Sequence, residues 1–119
     1  MINFKRADHI HICVPHEKLE EAILFYTRVI GLQPITRPDV FSSDGYWFKV
    51  ADIEMHIGVE DSLPRSIRHT AFEVSDIAAA RKHLVSNGVE IVEEPLILGR
   101  ERFAFIDPFG NRMELLQFL

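Results

Sequence analysis

The sequence predicts an α+β fold made of two βαβββ modules, about residues 7–60 and 67–119 of a single 119-residue domain. Three observations carry this. Short stretches alternate apolar and polar residues with the period of two that a half-buried strand requires. Each half also holds one stretch of apolar residues at helical spacing that stops at a glycine, Gly31 or Gly88. Finally, the order strand, helix, three strands occurs twice.

His9 to Val14 opens the first module, with Ile10, Ile12 and Val14 on one face of a strand and His9, His11 and Cys13 on the other. Pro15 suits the first turn of a helix. Leu19, Ala22, Ile23, Tyr26, Val29 and Ile30 then form one apolar stripe, expected to pack on a sheet. Leu32 to Arg37 reads as a strand and Pro38 to Gly45 as a loop. Tyr46 to Val50 and Ile53 to Val59 read as two strands joined at Ala51-Asp52. Glu60 to Ser66, which contains Pro64, is the linker, too short to separate independent domains. The second module restarts with a strand at His69 to Val74 and a helix capped by Ser75 or Asp76. That helix carries Ile77, Ala80, Leu84 and Val85 toward Asn87-Gly88. Val89 to Val92, Arg102 to Ile106 and Arg112 to Phe118 supply its last strands.

Composition narrows the function. The 47% hydrophobic and 26% charged fractions suit an ordinary globule, and no run approaches the roughly 18 apolar residues of a membrane span. The start, Met1 to Arg6, has no apolar region of a signal peptide behind it, so a reducing, cytoplasmic setting is expected. A net charge of -5 with scattered basic residues argues against a nucleic-acid partner. The single cysteine, Cys13, is expected to be an inert core residue. Six histidines stand out, because imidazole is the commonest metal ligand.

Laying one half on the other selects among them. His9 and His69 each stand five residues before the valine that closes a strand, Val14 or Val74, and Met55-His56-Ile57 matches Met113-Glu114-Leu115. A potential ligand therefore recurs on the first and last strand of each half. If the halves pair about a pseudo-twofold axis, His9, His56, His69 and Glu114 can converge. Three imidazoles and a carboxylate suit a first-row divalent metal such as Zn, Ni, Mn or Fe, with a position left open for substrate. Glu114 is also the candidate catalytic base, with Glu54, on the same strand face as His56, as the alternative.

At these residues the chain resembles the vicinal oxygen chelate superfamily, which includes glyoxalase, bleomycin-resistance proteins, fosfomycin-resistance thiol transferases and extradiol dioxygenases. The resemblance covers Asp8-His9-Ile10, Phe25-Tyr26 with Ile30-Gly31-Leu32, and Asp107-Pro108-Phe109-Gly110-Asn111 with Met113-Glu114-Leu115. It implies that the two βαβββ modules pair into a cupped mixed sheet, helices outside, around a metal held by His9, His69 and Glu114 with His56 as the additional ligand. It further implies a small-molecule substrate with vicinal oxygens and a homodimer. The chemistry stays open among lyase or isomerase, thiol-transfer and dioxygenase reactions. Extradiol dioxygenases keep a tyrosine where this chain has Ala104, and the segment Leu98 to Arg102 lacks the serines of the fosfomycin enzymes. The competing expectation is a metal-free protein of the bleomycin-resistance kind, in which Tyr46, Trp47 and Phe48 stack on a flat ligand.

Overall fold

The structure is a computed structural model and describes residues 1–61 and 65–119, so part of the expected linker, Pro64 included, lies outside the described residues. The chain divides into two compact units, Met1–Ser62 and Leu63–Leu119, each an α+β arrangement with its own mixed four-stranded sheet.

The first unit runs β1 (His9–Val14), α1 (Leu19–Leu24), β2 (Gln33–Ile35), β3 (Gly45–Val50) and β4 (Ile53–Val59), in sheet order β1-β4-β3-β2. Its first and last strands pair parallel, and the others antiparallel. Alternation sends Val14, Phe48, Met55 and Ile57 to one face, where they are buried together with Ala22, Phe25 and Tyr26 of the helical segment. Tyr26 meets Phe48 with ring centroids 6.3 Å apart. The helical stripe therefore covers the sheet, as its periodicity predicts. What periodicity does not predict is that α1 is flanked by a 3-10 turn at His16–Lys18 and a π turn at Phe25–Val29. The Thr27 hydroxyl donates to the Ile23 carbonyl at 2.7 Å, which competes with the backbone ladder where it widens. Gly31 then ends the segment at φ +88°, with the Leu32 N–H donating to the Tyr26 carbonyl. The β2 strand is shorter than expected because Pro34 has no N–H to donate and Pro38 follows closely, confining the segment to a sheet edge.

The second unit repeats the plan with β5 (His69–Glu73), α2 (Ile77–Ser86), β6 (Glu90–Glu93), β7 (Arg100–Ile106) and β8 (Arg112–Phe118), in sheet order β5-β8-β7-β6. Asp76 caps α2 by accepting the Ala79 N–H at 2.9 Å. The Ile77 N–H donates to the Gln117 side chain on β8, which satisfies another orphan donor and ties the helix start to the sheet. Ile77 and Leu84 are buried, as are Phe103, Phe105 and Met113 on the strands. The β7 strand begins two residues before its expected start, because Gly99 at φ +88° turns the chain so that Arg100 bridges back to Ile97.

Within each unit the registers coincide. His9 lies opposite Glu54, two residues before His56, and His69 lies opposite Arg112, two residues before Glu114. The internal repeat read from sequence is thus a repeat of ladder positions.

The approach to β8 is set by the Asp107–Asn111 turn. Asp107, buried, accepts the backbone N–H groups of Phe109 and Asn111 on Oδ1 at 2.9 and 2.8 Å, and the Asn111 amide on Oδ2 at 2.9 Å. Gly110 supplies the left-handed backbone at φ +95°. Asp107→Ala strands these donors and is expected to destabilise the protein by about 2–4 kcal/mol. Urea unfolding of the variant against wild type reads that difference.

Candidate functional site

In the first unit the polar face of the sheet carries His9, His11, Glu54, His56 and Trp47, all brought to one side by register. His56 is buried between two rings. Trp47 stacks on it with centroids 3.7 Å apart at 3°, and His9 lies on its other side at 4.0 Å and 17°. Its Nε2–H donates to Glu54 at 2.9 Å, which in the neutral ring leaves the lone pair on Nδ1. The His9 Nδ1–H donates to Asp8 at 2.9 Å and leaves Nε2 open, and this bond holds the Asp8 carboxyl below its usual value. His11 lies on Gly58, where any Cβ would meet the imidazole at 2.7 Å. Burial, with His56 and His9 as neighbours, pushes its pKa down, favouring the neutral ring. Cys13 is half-buried beside it, Sγ 3.8 Å from Nδ1, and burial raises its thiol, so it is no activated nucleophile. His9, His11, Trp47, Glu54 and His56 line a cavity of about 440 Å³ with Arg37 and Phe41.

In the second unit Glu114 is buried on β8, and Arg102, two residues from its direct partner Ala104, reaches across to bind Oε1 at 2.8 Å. Arg102 also donates to the Pro95 carbonyl from Nε and Nη2, which aims the guanidinium. Arg112 pairs with Glu94 at 2.6 Å. The His69 Nδ1–H donates to the Ile67 carbonyl at 2.8 Å, so its lone pair is on Nε2, 3.8 Å from Glu114 Oε1.

The four sequence-derived candidates are thus placed as two pairs, His9 with His56 and His69 with Glu114. Two donors each about 2.1 Å from one ion stand no more than about 4.2 Å apart, and the 3.8 Å between His69 Nε2 and Glu114 Oε1 is within that limit. In the stacked pair the ring planes are nearly parallel, and an ion in the plane of one ring lies outside the plane of the other; sharing an ion requires one ring to turn. Among the described residues no group of three or more His, Cys, Asp or Glu side chains is arranged to hold a metal. Each candidate histidine nonetheless has one nitrogen tied to a carboxylate or carbonyl, the outer partner that fixes the tautomer of a ligating imidazole.

The pairing of Trp47 with His56 and of Arg102 with Glu114 is not among the expectations from sequence, although hairpin arithmetic gives both. The two-residue connection Ala51-Asp52 pairs Val50 with Ile53, which places Trp47 opposite His56 by counting. The same counting from Ile106 and Arg112 places Arg102 diagonal to Glu114. Of the proposed aromatic cluster, only Trp47 faces the site; Phe48 is on the core face with Tyr46, 5.1 Å away.

The Arg112 guanidinium, hydrogen-bonded to Glu94, holds that carboxyl below the ordinary range. Because the folded value is depressed, the pair stabilises the fold above the unfolded value of about 4.3, and that contribution is lost as pH falls through the folded value. Wild type and Glu94→Gln, unfolded in urea from pH 7 to 3, are expected to differ at neutral pH and converge in acid. Parallel curves would remove the pair from the account.

Comparison with known proteins agrees with this fold. Glyoxylase I 4 of Arabidopsis thaliana is 27% identical over 118 residues, spanning 88% of this chain and 67% of that protein. The crystal structure of a Bacillus anthracis protein described as of the glyoxalase family matches with a TM-score of 0.88 and 34% identity over 100% of both chains. The fosfomycin resistance protein FosX of Listeria monocytogenes shares the fold at a TM-score of 0.80 and 20% identity, covering 98% of this chain and 96% of its own. A FosX mutant, solved with Mn(II) and a dihydroxypropylphosphonic acid, aligns at 0.83 and 22% identity over 98% and 95%. The family model for the Glyoxalase/Bleomycin resistance protein/Dioxygenase superfamily matches residues 6–115, and the chain belongs to that superfamily, the vicinal oxygen chelate proteins.

Proposed function

We propose that the chain is a metal-dependent enzyme in which His9, His56, His69 and Glu114 hold one divalent ion and act on a small substrate with vicinal oxygens. The observation that carries this reading is the way the imidazoles are tied. All three have one ring nitrogen fixed by an acceptor, and the open Nε2 of His69 stands 3.8 Å from the buried Glu114 carboxylate. When bound, a divalent ion supplies Lewis-acid charge to the two substrate oxygens. The chain's own groups do the rest. Arg102 donates to Glu114 Oε1, the same oxygen that stands 3.8 Å from His69 Nε2 and would face the ion, and Oε2 is left to take and return a proton. Glu54 ties the His56 Nε2–H and Trp47 covers one face of that ring, so His9 is the ring that would turn to share the ion, while Trp47 lines the cavity where substrate would sit. A cytoplasmic homodimer completes the reading.

A second reading has one observation in its favour. The stack of His9, His56 and Trp47 is complete without an ion, as suits a metal-free protein that sequesters a flat molecule.

Metal analysis separates the two. Protein equilibrated with Zn²⁺, Ni²⁺, Mn²⁺ or Fe²⁺ and desalted is expected to retain one ion per set of four ligands. Glu114→Gln and His69→Ala are expected to lose at least the roughly 10–100-fold in affinity that even outer partners contribute. Wild type that retains none of these metals would overturn the enzyme reading in favour of sequestration.

A further inference from the structure

Arg37 follows β2 and lines the cavity beside His9, His56 and Trp47. Its setting is unlike that of the other charged groups there. The acids of the cavity are partnered: Asp8 with Arg6 and His9 at 2.9 Å each, Asp44 with His16 at 2.8 Å, and Glu54 with His56 at 2.9 Å. Arg37 makes no hydrogen bond or salt bridge among the described residues, and its Nε is buried with no acceptor. A guanidinium N–H removed from water without an acceptor is costly, and its planar fork matches an oxyanion.

The group is also held in place. Its Cζ sits 4.4 Å from the centroid of the Phe41 ring. On the other strand, Gly45 makes room for it: a Cβ there would meet Arg37 Nη2 at 3.0 Å, Cζ at 3.1 Å and the Ile57 carbonyl at 2.7 Å. An aromatic face and a missing side chain together seat a cation whose buried Nε–H has no acceptor. The cavity, about 440 Å³, is within the range of small-molecule sites.

We infer that Arg37 reads an oxyanion of the ligand, and that the ligand of this cavity is a small carboxylate with a flat body lying against Trp47 and the imidazoles. A monoanionic carboxylate is favoured over a phosphate-like dianion because Asp8, Asp44 and Glu54 line the same space and would repel the second charge. The inference deepens the function proposed above by naming its substrate class, and rests on that reading only in taking this cavity as the substrate end of the site.

Trp47 is the one tryptophan in the chain and its ring lies 6.0 Å from Phe41, so its fluorescence reports on this cavity. The full-length protein is titrated with benzoate, with its neutral isostere benzamide and with inorganic phosphate at constant ionic strength. Benzoate is expected to bind saturably and at least tenfold more tightly than benzamide. Arg37→Gln should abolish that preference, Arg37→Lys should retain part of it, and Phe41→Leu, which alters an exposed ring, should weaken benzoate by several-fold. No saturable benzoate signal, equal affinity for benzoate and benzamide, undiminished preference in Arg37→Gln, or tighter binding of phosphate would each overturn the assignment. Metal content measured on the same samples keeps the two proposals apart. Arg37→Gln is expected to keep the wild-type metal content, and the benzoate titration stands even if the wild type holds no metal.

Discussion

The parallel pairing of first and last strand in each unit is the constraint on which everything else depends. A hairpin would join neighbours in sequence; here β1 is hydrogen-bonded to β4 and β5 to β8, with a helix and two strands between. Since side chains alternate between faces, a slip of one residue in either ladder would send every polar donor into the core and every core residue to the polar face. The register is pinned from both sides: by the apolar set Val14, Phe48, Met55 and Ile57 in one unit, and by the Asp107 turn that delivers β8 in the other.

Most of this was legible in the sequence. Period-two alternation and glycine-terminated stripes locate strands and helices because each element buries one face and must stop where a left-handed residue is available. The repeat was legible because ladder positions, unlike loop lengths, survive duplication as constant offsets. The limits of β2 and β7 were not, since both depend on local backbone chemistry: a proline without a donor in one case, a left-handed glycine that starts a bridge in the other. Nor does apolar spacing reveal the π turn after α1, which is accompanied by a hydroxyl competing for a carbonyl.

At the site, residue type was easier to read than residue environment. Four donors could be named from the repeat, but whether an imidazole is stacked, tied to a carboxylate or facing a guanidinium depends on cross-strand neighbours. Trp47 on His56 and Arg102 on Glu114 are such neighbours, and each changes the chemistry of the residue it touches. Trp47 covers one face of the His56 ring, and Arg102 holds Glu114 through Oε1. The carboxylate of Glu54 does for His56 what the backbone carbonyl of Ile67 does for His69, so one electrostatic task is met by two different groups.

That difference extends to the ladder partners of the two leading histidines. Opposite His9 stands an acid, Glu54; opposite His69 stands a base, Arg112. Two copies of one architecture have kept their geometry while their charge has inverted at an equivalent rung. The scaffold can therefore accept opposite electrostatic demands in its halves at the same ladder position, so that descendants of such a duplication could alter what they bind one rung at a time.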